Sequence, residues 1–229
     1  MTDWWHYLQP GLMMTLNLLL ATTVITLTAA ALLTVATTSS RRAPRIIGAA
    51  YIDFMRGIPV LALLTLVYYG LGAVWVQLGV PAFWVAAFVI ALNEAAYLAE
   101  VYRSSIQTVP VKQWEAAASM GLSRGQAFRI VVVPQAVVAA IPPTINEVIY
   151  LMKATSLGSL VAVSELTGAG SSLIAVTFQP LPVYAALAGI YLCISLPIAY
   201  GGRIIERLIA RRFGIHSATT PQLAGARGI

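Results

Sequence analysis

Long apolar runs separated by short polar or basic joints organise the chain. Five of them, residues 13–37, 58–78, 83–102, 130–152 and 181–205, are each long enough to cross a bilayer as a helix, which takes roughly 20 residues. No part of the chain shows the weaker alternation of about ten-residue segments that marks a membrane β-barrel. The pattern predicts an all-α integral membrane protein with five transmembrane helices.

The basic residues orient these spans. Arg41, Arg42, Arg45 and Arg56 lie between the first and second runs, and Arg103, Lys112, Arg124 and Arg129 between the third and fourth. Arg203, Arg207, Arg211, Arg212 and Arg227 follow at the C-terminal end, so that of the 14 Lys and Arg residues only Lys153 falls on the opposite side. Cytoplasmic loops collect Lys and Arg, which places the N-terminus outside and the C-terminus in the cytoplasm. Trp4, Trp5, Trp75 and Trp84 then sit near outer ends, as an interfacial aromatic belt requires. Residues 1–213 read as one membrane domain, and 214–229, polar and containing Gly and Pro, as a disordered cytoplasmic tail.

Composition agrees and narrows the chemistry. The chain is 59% hydrophobic and 10% charged with a mean hydropathy of +0.82, far from the balance of a soluble domain. Its net charge of +6 follows from the orientation of the spans and calls for no nucleic acid. The lone Cys193 forms no intramolecular disulfide, and His6 and His216 are too few and too far apart for a metal site. The N-terminus lacks the basic segment of a cleaved signal peptide, so the first span is expected to be retained.

One stretch breaks the apolar pattern: VKQWEAAASMGLSRGQAF, starting at Val111. Pro110 suits the start of a helix, residues 113–120 are mostly good helix formers, and Gly121 can adopt the left-handed conformation that stops one. A short exposed helix over about 111–121 is predicted. Its alanines 116–118 form a low-relief face beside the charge of Glu115, fit either for docking a partner or for a plain connection.

The segment EAAASMGLSRGQAFRIVVVPQA closely resembles the EAA loop of ABC importer permeases, with Glu115, Ala116, Ala117, Gly121 and Pro134 at the pattern positions. The further blocks TLNLLL, YIDFMRGIPVLALLTLVYYGL, AAYLAEVYRSSIQTVP, NEVIYLMKATSL and IIERLIARRF resemble the permeases for polar amino acids, the histidine, glutamine and arginine group, over residues 11–213. Lys112 and Ala154 depart from the usual pattern, which bears on how the short helix begins and on a polar contact in the outer loop. The resemblance implies that helix 111–121 is a coupling helix seated in a cytoplasmic ABC ATPase dimer. It also implies a second permease subunit, identical or not, and an external amino-acid-binding protein. The chain would then be no enzyme and carry no cofactor, ATP and Mg belonging to the partner. No G-x-x-x-x-G-K-[ST] occurs, and the only lysines are Lys112 and Lys153, so this chain has no phosphate-cradling loop of its own.

Charged groups inside spans cost roughly 2.5–3.5 kcal/mol at mid-helix, which makes them candidates for function. Those at span level are Asp53, Glu94, Glu100 and Glu147. Glu147 precedes Lys153 by six residues, roughly 9 Å inward at about 1.5 Å per residue. Pro142 and Pro143 are expected to break the span just before it, leaving backbone carbonyls free at mid-depth. Glu147 either faces a water-filled cavity and pairs with a substrate ammonium, or is protonated or paired with a neighbouring helix. By resemblance, the Asn146–Glu147 pair points to basic amino acids such as arginine, lysine, ornithine or histidine.

On the third span Asn93, Tyr97, Glu100 and Ser104 share a helical face, and Asn93 and Tyr97 are the pocket candidates. Glu100 with Arg103 and Asp53 with Arg56 read as structural or gating ion pairs. Thr155 and Ser156 are placed at the pocket mouth by resemblance, where their hydroxyls receive a substrate carboxylate or merely form a turn. The reading that results is a permease subunit of an ATP-driven importer working by alternating access. Its rivals are a proton- or ion-coupled secondary transporter without an ATPase, with Glu147 or Glu100 as the ion site, and a non-transporting membrane scaffold.

Overall fold

A computed structural model describes residues 4–212. The expected tail at 214–229 lies outside the described residues. Among those described the chain is helical, with no strand. Four helices are long and apolar enough to cross a membrane, and a bent pair brings the number to five if it is one span.

Helix α1, Trp4–Thr37, is longer than its apolar run predicts and packs along α5, Ala82–Gln107. Their contact is rich in small and hydroxylated residues, with Leu18, Ile90 and Leu98 buried among them. Leu18, Thr22, Thr26, Ala30 and Thr34 of α1 are buried at helical spacing, on the side of Ala86, Ala87, Ala91, Ala95 and Ala99 of α5. Leu20, Leu32 and Val35, on other faces of α1, are exposed. Lipid is as apolar as leucine, so burial of large side chains drives little association in a bilayer, whereas alanines let two backbones approach. Threonine hydroxyls then bridge them: Thr26 Oγ1 donates to the Ala91 carbonyl at 3.2 Å and Thr34 Oγ1 to Ala99 at 3.4 Å.

The second apolar run is not one straight span. Amphipathic α2, Arg42–Gly57, turns by 96° into α3, Val60–Gly70, and a turn at Leu71 separates α3 from the short α4, Gly72–Gln77. The bend falls where Pro59 lacks an amide proton and holds Ile58 in an extended conformation. The freed carbonyls at the end of α2 are taken up from α5. Asn93 Nδ2 donates to the Met55 carbonyl at 2.8 Å, the Tyr97 hydroxyl to Arg56 at 3.2 Å, and the Tyr51 hydroxyl ties α2 to the Leu92 carbonyl at 3.0 Å.

After α5 come the short α6, Val111–Ser119, and α7, Arg124–Ala127. Ser123 caps α7 in a reciprocal capping box with Gln126. A π-helical turn, Phe128–Val132, leads into α8, Val133–Ala154. In that turn the Val133 amide bonds Phe128 rather than the nearer Arg129 carbonyl, one way to admit Pro134, which has no N–H to offer.

The break expected at Pro142–Pro143 does not occur: α8 runs through both prolines. Proline's fixed φ is already helical, so the two rings remove two backbone donors without changing the local conformation. In hydrocarbon, leaving the helix would strand more backbone groups than the two donors already missing. A 3-10 segment, Thr155–Val161, and an unanticipated short apolar helix α9, Leu166–Thr177, precede α10, Pro180–Arg212. Helix α9 packs on α1 and α10, and α10 on α8. At the last crossing Gly202 is obligatory, because a Cβ there would lie 2.5 Å from the Ile145 side chain.

Candidate functional site

A cavity of about 540 Å³ opens where the α2–α3 bend, the middle of α5, and α8 meet. It is lined by Pro59, Val60, Leu61, Asn93, Glu94, Tyr97, Glu147, Tyr150 and Leu157. Its size suits a small polar metabolite. Glu94 stands roughly 18 Å along α5 from Ala82, near the midpoint of the helix.

Two carboxylates share this cavity. Glu94 on α5 and Glu147 on α8 both line it. Glu94 is 3% exposed, and Glu147 has one oxygen, Oε1, buried without a hydrogen-bond partner. Among the described residues no cation is within ion-pairing distance of either. Buried acids with no counter-ion keep their protons, and a cation that enters the site can take the place of a proton.

The candidates named from sequence are distributed unevenly. Glu147, Asn93 and Tyr97 line the cavity. Asn93 and Tyr97, however, give their donors to the end of α2, so they build the wall that carries Pro59 and Val60. Asn146 is exposed beside the cavity without lining it. Thr155 is fully buried with its hydroxyl on the Met152 carbonyl at 2.7 Å, and the Ser156 hydroxyl is on Lys153, also at 2.7 Å; neither lines the cavity. Glu100 and Arg103 do pair, with Arg103 Nε 2.9 Å from Glu100 Oε2. Asp53 makes no ion pair with Arg56, whose guanidinium lies over the Tyr97 ring, 5.5 Å from its centre. Pro142 and Pro143 are within α8 and are not in the lining.

Residues that the sequence did not assign to the pocket complete the site. Glu94 was visible as an acid inside an apolar run and adjacent to Asn93. Tyr150 and the start of α3 gave no comparable signal, since only the tertiary bend brings α3 there. Glu165 reads from the sequence only as an acid in a loop or at a span end. It is fully buried as the N-cap of α9, accepting from the Thr167 and Gly168 amides at 3.0 and 2.9 Å and from the Tyr191 hydroxyl at 2.8 Å.

The second surface is α6. Trp114 stacks on Phe128 at 6.2 Å and Ala117 is buried, whereas Glu115, Ala116 and Ala118 are exposed. The helix ends in a Schellman motif: the Gly121 amide donates to Ala118 at 2.9 Å and the Leu122 amide to Ala117 at 3.1 Å. Gly121 has φ +80°, the left-handed region that favours glycine. Beside α6 lies a groove of about 670 Å³ lined by, among others, Ile106, Val111, Glu115, Ala118 and Arg124.

Long lipid-facing helices around a polar, ligand-sized chamber define a multi-pass transport protein of the membrane. Residues 27–212 match the family model described as "Binding-protein-dependent transport system inner membrane component". The chain belongs to that family and is a multi-pass inner-membrane protein. It is 37% identical over 164 residues to the octopine transport system permease protein OccM of Rhizobium meliloti, covering 68% of this chain and 66% of that one. It is 36% identical over 170 residues to the L-cystine transport system permease protein TcyL of Bacillus subtilis (strain 168), covering 72% and 71%. The crystal structure of an amino acid ABC transporter with histidines superimposes with a TM-score of 0.81 at 32% identity, over 88% of this chain and 93% of that chain.

Proposed function

We propose that the chain is a permease subunit of an ATP-driven ABC importer, and that it carries amino acids, preferentially cationic ones, through the cavity that holds Glu94 and Glu147. The observation that carries the substrate class is this pair of acids, Glu94 buried and Glu147 half-buried, with no counter-ion among the described residues. An ammonium or guanidinium entering the cavity supplies the missing charge. The amino-acid permeases among its relatives support amino acids as the cargo, and the preference for cationic ones rests on the two carboxyls alone.

In this reading the N-terminus is external and α6 projects into the cytoplasm, where its exposed Glu115–Ala116 face docks on an ABC ATPase dimer. ATP and Mg are bound and used there. Closure of the ATPases moves the paired α6 helices and switches the cavity between outward and inward access, with an external binding protein delivering the amino acid. Asn146, exposed on α8 next to the cavity, is poorly suited to lipid and favours a second permease subunit, alike or different, against this face.

The test is uptake into vesicles by the complete complex. Glu147→Gln is expected to reduce arginine uptake far more than glutamine uptake; equal or absent losses would remove the cationic specificity. Glu115→Lys with Gly121→Val is expected to abolish uptake while the protein remains in the membrane. Transport persisting in that variant, or without ATP, would favour the gradient-driven alternative, with the Glu94–Glu147 pair as its proton site.

A further inference from the structure

A hollow of about 660 Å³ lies between α1, α5, α8 and α10, lined by Val35, Phe128, Val137, Ile141 and Ile205 among others. It shares no lining residue with the chamber that holds Glu94 and Glu147. Thr34 and Ala136 are buried at its floor, whereas Val35, Val137 and Ile205 stand at open rims, 69%, 51% and 51% exposed. Three threonines in the lining offer no free donor. The hydroxyls of Thr34, Thr38 and Thr144 each donate, at 2.7 Å, to the carbonyl four residues earlier. Tyr102 brings the one remaining hydroxyl. A polar ligand gains few hydrogen bonds against such a wall, and hydrocarbon loses none.

The depth matches one leaflet. From Val133 to Ile145 the hollow follows α8 for roughly 18 Å at about 1.5 Å per residue. The hydrocarbon of one leaflet is about 15 Å deep, half of roughly 30 Å.

One end of the hollow opens where the basic residues begin. Arg41 follows Thr38 by three residues, at most about 11 Å of backbone, and Arg129 is next to Phe128. The first turns of α2, with Arg42 and Arg45, lie beside the end of α1, since a Cβ on Gly48 would be 3.0 Å from Thr37 Cγ2. All four arginines are exposed, and among the described residues none has an acid within ion-pairing distance. An apolar slot one leaflet deep thus has uncompensated cations at its mouth.

We propose that this hollow seats an acyl chain of an anionic phospholipid whose headgroup is held by Arg41, Arg42, Arg45 and Arg129. Both parts of the lipid are matched: the chain by the apolar wall, the phosphate by the arginines. The seat lies apart from the chamber of the two acids and stands whether or not that chamber carries the substrate.

The experiment is photolabelling of the purified complex of permease and ATPase in vesicles of phosphatidylethanolamine and phosphatidylglycerol, with a trace of either lipid bearing a diazirine on its acyl chain. Labelled residues are mapped by mass spectrometry. Label from phosphatidylglycerol is expected to concentrate at Val35, Val137 and Ile141 rather than at Leu20 and Leu192, which are exposed elsewhere. At those sites it is expected to exceed label from phosphatidylethanolamine by about fivefold or more, the scale of one or two arginines meeting an anionic lipid. Ala140→Phe, which fills the lining, is expected to remove most of the label at Val35 and Val137 from both probes. Arg41→Gln with Arg129→Gln is expected to keep the label there and erase the preference for phosphatidylglycerol.

Label spread evenly over the exposed apolar residues, or equal label from the two lipids in wild type, overturns the proposal. Cross-links from Val35 or Val137 to a second permease chain, in place of lipid label, assign the hollow to a subunit interface and overturn it as well. The wild-type map decides the matter even if Ala140→Phe fails to fold.

Discussion

Removing the Glu165 carboxylate is expected to loosen the packing of α9 against α1 and α10. Glu165 is fully buried, and its oxygens accept from the Thr167 and Gly168 amides, from Tyr191, and at 3.4 Å from Thr15, whose own oxygen accepts the Leu166 amide at 2.9 Å. Loss of an N-cap costs about 1 kcal/mol. Each buried donor left without an acceptor adds about 1–3 kcal/mol, though the donors regroup in part. Glu165→Ala should therefore destabilise by about 3–5 kcal/mol, in the range of a broken buried network. Tyr191→Phe removes a single donor and should cost about 1 kcal/mol. Glu165→Gln falls between them, because its amide nitrogen faces another N–H on one side. Thermal unfolding of a fluorescent fusion in detergent reads the order, with Tm falling by about 2–4 °C per kcal/mol for a chain of this length. A Glu165→Ala variant no less stable than Tyr191→Phe would refute the clamp.

Three other substitutions test separate features. Gly121→Ala places a side chain at φ +80° in open space, so its effect is conformational, about 1–2 kcal/mol, and should appear as faster hydrogen exchange at the Gly121 and Leu122 amides with the rest of the chain unchanged. Gly202→Leu drives atoms into Ile145 at the α8–α10 crossing and should lower stability by about 1–3 kcal/mol; Ile145→Ala in the same chain should recover part of the loss in Tm. Arg103→Gln breaks a partly exposed i,i+3 pair with Glu100 and should change Tm by an amount equivalent to about 0.5 kcal/mol or less. A larger loss would mean that the pair has a role beyond the local helix.

What could be read in advance is what local chemistry decides. The apolar runs, the short helix after Pro110 and its stop at Gly121 follow from residues within a turn or two of one another, and α6 with its left-handed glycine appears as expected. The prolines invert this lesson. Two adjacent prolines at 142 and 143 leave α8 intact, while a single Pro59 accompanies a 96° turn. The difference is not in the prolines. At Pro59 the carbonyls released by the bend find donors on α5, 38 and 41 residues away in sequence, at Asn93 and Tyr97. Breaking α8 would strand further backbone groups beyond the two donors its prolines already lack. A membrane helix bends where distant side chains can take over its backbone, and those side chains lie too far along the chain to be paired with the bend by inspection. The same dependence hid the cavity. Glu94 and Glu147 are 53 positions apart by number, and neither identifies the other. Asn93 and Tyr97 looked like substrate ligands because polar residues inside a span need partners, and they do have them, in α2. Their consequence for function is indirect: by fixing the α2–α3 bend they bring Pro59, Val60 and Leu61 into the wall of the chamber that holds Glu94 and Glu147.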